Sequence, residues 1–306
     1  MANSALKNND FFNGRAAMSA PAAQQPHTQP GYGQQGYAQQ GYGQAPQAPA
    51  YGQQGYQQPP IMTPEQLNQQ FQAPAASRDQ MDRMSYEDVI AKTAGLFAVV
   101  LVAAAVAWFF PVLAFPGAIG GLILSFVLAF KKTPSAPLSF AFALCEGFLV
   151  GGFSSILENQ AELSGIVLQA TLATFSVIGV TLLLFMNGKV RTSPRMTKIV
   201  MIAMLGYLVF SLLNFVLMLI PGVGSSMGAW GMRSVEVFGI PLGIIVGIFA
   251  VLMGAYMLVM DFEFIKRGVE SGAPRSYGWI AGYSLVSTVV FIYIEILRII
   301  AIFRQN

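Results

Sequence analysis

From about residue 90 to its end the chain is a succession of long apolar runs, separated by short breaks of proline, glycine and charge. A helix needs about 20 mostly apolar residues to cross the hydrocarbon core of a bilayer. On that measure seven spanning helices are predicted, at 93–110, 112–130, 137–156, 164–187, 198–220, 236–260 and 278–302. Pro111 and Pro116 bracket one tight turn and Pro134 and Pro137 another, while Pro194 and Pro221 mark the edges of the fifth span. Proline has no amide hydrogen to give a helix, so it falls naturally at such limits. The second span is the shortest, and Gly117, Gly120 and Gly121 weaken it further. Ser85-Tyr-Glu-Asp88 has the form of a capping box: Ser85 accepts from an amide three residues on, and Asp88 suits the positive end of the helix dipole.

Before residue 78 the pattern is different. Residues 1–77 hold Lys7, Arg15, Asp10 and Glu65 as their charges and are otherwise rich in Gln, Gly, Pro, Ala and Tyr. The phrase YGQQG recurs between Gly31 and Gln57. Such a stretch buries too little apolar surface to offset the entropy of ordering, so a disordered tail is predicted over 1–84. Regular Tyr and Gln also give it the composition of an adhesive, low-complexity arm that could recruit membrane proteins. The first residues lack a basic run followed by an apolar one, so no signal peptide is expected. The domain organisation is therefore a tail over 1–84 and an all-α, polytopic membrane domain over 85–306.

Composition narrows the function classes. Of 306 residues, 54% are hydrophobic and 10% charged, far below the roughly 25% charged of soluble domains. The lone Cys145 forbids an intramolecular disulfide, and the lone His27 lies in the tail. Histidine-based metal sites and Ser-His triads are thus excluded from the spans. Asp261 is the single aspartate within them, which excludes an intramembrane aspartyl dyad. No enzymatic activity, resident cofactor or nucleic-acid partner is expected; the lipid bilayer is the expected partner.

The net charge is +3, but its distribution says more. Lys92, Lys131, Lys132, Lys189, Arg191, Arg195, Lys198, Lys266, Arg267 and Arg275 all fall on one side of an alternating seven-span chain. Arg233, Glu158, Glu162 and Glu236 fall on the other. Basic loops stay in the cytoplasm. The expectation is a multi-pass protein of the cell membrane, with its N-terminus cytoplasmic and its C-terminus outside. Small residues four apart allow close helix approach in lipid: Gly147 and Gly151 in span three, Gly239, Gly243 and Gly247 in span six, Gly278 and Gly282 in span seven.

Charges inside a membrane are costly unless paired or hydrated, and so point to function. Glu146 lies at the middle of span three with no opposite charge on its own helix. It must find a partner on another helix, meet water, or be protonated. Asp261 and Glu263 are expected to end span six. Glu295 and Arg298 are three apart in span seven and so share a helix face.

These segments resemble the transmembrane Bax inhibitor motif family, in particular bacterial members with long N-terminal extensions. The resemblance is carried by MSYEDVIAKTAG (84–95), ALCEGFLVGGFSS (143–155), MDFEFIKRGVESGAPRSYGW (260–279) and FIYIEILRIIAIF (291–303). It implies six helices around a central seventh and a pH-sensitive calcium leak. Position by position, it implies that Asp261 is the acid at the end of the sixth helix. Lys131 and Lys132 would be the bases that latch onto it, and Arg298 the arginine of the seventh helix. Thr288 stands where the family has a second pH-sensing aspartate, and Glu146 is then a candidate partner for Arg298. The ion-pathway and pH-sensing set is Asp261, Glu146, Glu295 and Arg298, with Lys131 and Lys132 as a cytoplasmic latch. Calcium is expected as the permeant ion, with Asp261 as a candidate ligand. Two readings follow: a passive, pH-modulated cation leak, or a non-conducting regulator that binds membrane proteins such as a quality-control protease.

Overall fold

The computed structural model describes residues 82–131, 133–222 and 228–305. The tail up to residue 81 and Lys132 lie outside the described residues. The seven expected helices are present: α1 (Tyr86–Phe109), α2 (Ala114–Phe130), α3 (Ala136–Glu158), α4 (Ile166–Met186), α5 (Pro194–Leu219), α6 (Leu242–Glu270) and α7 (Gly278–Gln305). All are long and apolar enough to cross a membrane.

Local chemistry sets the helix starts. Ser85 Oγ accepts from the Asp88 amide at 3.2 Å, as the capping box requires. Ser193 does the same for Met196 at 3.2 Å, with Pro194 in the first turn of α5. Glu158, at the end of α3, caps α4 instead: its two carboxylate oxygens accept from the amides of Gly165 (2.6 Å) and Val167 (3.0 Å). A carboxylate there meets both the free amides and the positive end of the dipole.

The sixth helix corrects the expectation at both ends. It starts at Leu242 rather than 236, because Glu236–Val237 (β1) folds back on Ile240–Pro241 (β2) as a two-stranded hairpin. Phe238 and Gly239 make the turn with φ of 56° and 77°. Gly239 therefore belongs to a turn, not to a helix face. The helix then continues to Glu270, so Asp261 and Glu263 lie inside it rather than at its end.

Helix α7 is the central element. Half of its most apolar window is buried (50%), against 11% for α5, which lies at the periphery. Close packing depends on glycine where it was expected. A Cβ added at Gly147 or Gly151 of α3 would lie 2.5 Å from the Val100 carbonyl oxygen or 2.1 Å from that of Ala104, so α1 and α3 touch backbone to backbone. Gly243 and Gly247 of α6 similarly receive Ile302 and Ile299 of α7.

The connections gather at two faces. On the basic face Met84 N donates to the Ala273 carbonyl at 2.7 Å. Nearby, Asp88 binds both Lys92 (2.5 Å) and Arg275 (2.8 Å), and Lys92 also donates to the Arg275 carbonyl at 2.6 Å. On the opposite face Trp230 Nε1 donates to Gln305 (2.6 Å), Gln305 to Gln160 (2.9 Å) and Arg304 to the Ser164 carbonyl (2.8 Å).

Candidate functional site

Two polar centres lie along α7. The first is at Asp261, which is 2% exposed. Ser284 Oγ donates to its Oδ1 and Thr288 Oγ1 to its Oδ2, both at 2.6 Å. Ser284 and Thr288 are four apart on α7 and so present their hydroxyls on one face. The distances are those of hydroxyl-to-carboxylate bonds. Both oxygens are engaged, and α6 is tied to α7 at this level.

This arrangement differs from the expected latch. Lys131 is exposed, and among the described residues no ion pair joins it to Asp261. The carboxylate has two buried hydroxyls within reach of its own helix pair, whereas Lys131 follows the last turn of α2 and points its charge to the surface. Glu263 is held by the basic face instead: it accepts from the Thr192 amide (3.1 Å) and hydroxyl, and pairs with Arg267 at 3.1 Å.

The second centre surrounds Glu295, also 2% exposed. Arg298 pairs with it along the helix, as the spacing predicts. Two further partners come from elsewhere. Tyr207 of α5 donates its hydroxyl to Glu295, and Arg233 approaches the other carboxylate oxygen at 3.6 Å. Arg233 also donates to Tyr207 (2.8 Å) and Ser211 (3.0 Å), while Arg298 donates to Tyr207 at 3.1 Å. Arg233 is 3% exposed although it comes from a loop. Asn214 of α5 holds that loop in place, since its Oδ1 accepts from Met232 N at 2.7 Å and its Nδ2 donates to the Trp230 carbonyl at 3.3 Å. Gly231 permits the turn with φ +62°.

Sequence reasoning placed Arg233 among the outer charges and overlooked Tyr207, Ser211 and Asn214. The signal was available: residues 207, 211 and 214 follow i, i+4, i+7 spacing and give an otherwise apolar span one polar face. Thr288 to Glu295 is seven residues, so the two centres are about 10 Å apart along α7.

Glu146 belongs to neither centre. It projects from half-buried α3 toward α2, where a Cβ added at Gly121 would be 3.4 Å from its Oε1. Among the described residues no hydrogen bond or ion pair reaches its carboxylate. It is not the partner of Arg298; Glu295 and Tyr207 fill that place. No group of three His, Cys, Asp or Glu side chains that could hold a metal ion occurs among the described residues, so Asp261 has no co-ligands of that kind.

A bundle of seven membrane-length helices with carboxylates buried along its central helix defines a polytopic membrane protein. The sequence profile described as Bax inhibitor 1 like matches residues 14–305, nearly the whole chain, and the chain belongs to that family. Comparison with curated proteins and with solved structures finds no match.

Proposed function

We propose that the chain is a passive cation leak of the cell membrane, with calcium as the permeant ion, and that this conformation is its closed state. The reading rests on Asp261: a carboxylate buried in the membrane domain, held by two hydroxyls and by no cation among the described residues. Such a group is expensive in lipid and marks an ion pathway by default. The bonds from Ser284 and Thr288 join α6 to α7, and losing them would free both a helix contact and a carboxylate able to meet a cation. The Glu295 centre explains closure, since two guanidinium groups around one carboxylate leave an excess of positive charge that opposes a cation. The N-terminus lies in the cytoplasm and the C-terminus outside, as the basic loops favour.

Calcium entry into proteoliposomes carrying wild type or Asp261→Asn tests this directly. A second reading has its own support: the cluster in which Arg298 and Tyr207 bind one oxygen of Glu295 and Arg233 stands 3.6 Å from the other suits a rigid, non-conducting regulator that binds other membrane proteins. Flux indistinguishable from empty liposomes for both proteins would favour it.

A further inference from the structure

Between α1 and α4 the bundle is open. A cavity of about 710 Å³ lies there, with α3, α6 and α7 as its floor. It extends along α1 from Thr93 to Trp108 and along α4 from Leu182 to Val167. Each of those stretches is about 22 Å long, most of the roughly 30 Å of a bilayer's hydrocarbon.

The chemistry of the cavity points to its occupant. The hydroxyls along it are mostly turned inward: Thr171 and Thr174 each donate to a backbone carbonyl of α4 at 2.7 Å, and Ser154 is bonded to Tyr293 at 2.7 Å. What remains is hydrocarbon-like wall. Such a wall, about 22 Å long, matches the hydrocarbon of an extended acyl chain in chemistry and in length.

The end near the basic face carries the polar features. Phe262, which lines this end, packs at a tilt against Phe185 with 5.6 Å between centroids, and the Arg191 guanidinium lies 5.1 Å from the Phe185 ring. Arg191 and neighbouring Lys189 are exposed, and among the described residues neither pairs with a carboxylate. We propose that the α1–α4 groove is a binding site for one anionic phospholipid, its acyl chain lying along the groove and its phosphate on Arg191 and Lys189. The site is separate from Asp261 and Glu295, and stands whether or not the protein conducts.

The test uses the full chain in nanodiscs and detergent. A phosphatidylglycerol with a photoreactive group on its acyl chain should label α1 and α4 in preference to α5, the helix most open to lipid. Native mass spectrometry should show one phosphatidylglycerol retained over phosphatidylcholine by on the order of tenfold, from two cations near the headgroup. Arg191→Gln with Lys189→Gln should reduce that preference to about twofold or less while acyl labelling persists. Ala105→Trp, an exposed position on the groove wall, should abolish retention of both lipids. Labelling spread evenly over α5, α1 and α4 would overturn the proposal whatever the variants do. So would equal retention of the two lipids by wild type.

Discussion

A hydroxyl in place of a carboxyl changes what a proton can do at Asp261. Ser284 and Thr288 donate to the ionised carboxylate, and either can accept from the protonated acid, so the seat is satisfied in both states. Protonation nonetheless exchanges charge-assisted bonds for weaker neutral ones, so calcium leak through the wild-type protein is expected to rise as pH falls from 8 to 5, toward the level of Asp261→Asn. Thr288→Asp puts a second carboxylate against the first. Two such groups hold one proton between them at low pH and repel one another once it is lost. The closed contact is then kept in acid and weakened as pH rises, so leak through Thr288→Asp should increase toward alkaline pH. Flux assays across that range check the sign, and a flat profile for the variant would contradict the account. At this scale the sequence revealed the costly charges but not their partners. Asp261 and the Glu295–Arg298 pair stand out as charges in apolar runs, and three-residue spacing suffices to join the latter. Arg233 was hidden because a loop charge looks solvated; only the loop's attachment to Asn214 turns it inward. Lys131 is exposed, and Asp261 is served instead by the nearer hydroxyls of α7, which satisfy the carboxylate without the desolvation of an ammonium.

Among elements, the α1–α3 contact depends most sharply on a single atom type. Gly151→Val would place its Cβ 2.1 Å from the Ala104 carbonyl oxygen, and the two backbones must separate. A cost of about 1–3 kcal/mol or more is expected from such overpacking, read as a lower melting temperature in detergent. Gly179→Ala of α4 is the counterpart: nothing lies within 4 Å of the added carbon, and removing a mid-helix glycine should stabilise by about 0.5–1 kcal/mol. Equal melting temperatures for the two variants would contradict the packing. All seven helices were legible, since apolar length and proline punctuation suffice in a membrane protein. Their limits were less so. Val237, Phe238 and Ile240 of the hairpin lead into the apolar helix without a charged break, and α6 outlasts its apolar run because Glu263 and Arg267, then Lys266 and Glu270, pair at i+4 spacing along its last turns.

For the whole molecule, two faces and a central helix organise everything else. If the basic face is cytoplasmic, the hairpin tip at Phe238, which is fully exposed, lies outside. In a Cys145→Ser background, Phe238→Cys should react with an impermeant maleimide in intact cells and Lys189→Cys only after permeabilisation; the reverse would invert the topology. The central claim concerns Asp261 as the tie that keeps a cation path closed. Asparagine keeps the shape but replaces charge-assisted bonds by neutral ones, a loss of about 1–2 kcal/mol, or roughly 5- to 30-fold in the open population. The most direct measurement is calcium uptake by proteoliposomes containing equal amounts of folded wild type or Asp261→Asn, beside empty liposomes. The account predicts a slow leak for wild type and a several-fold faster one for the variant, whereas equal uptake by all three would contradict it.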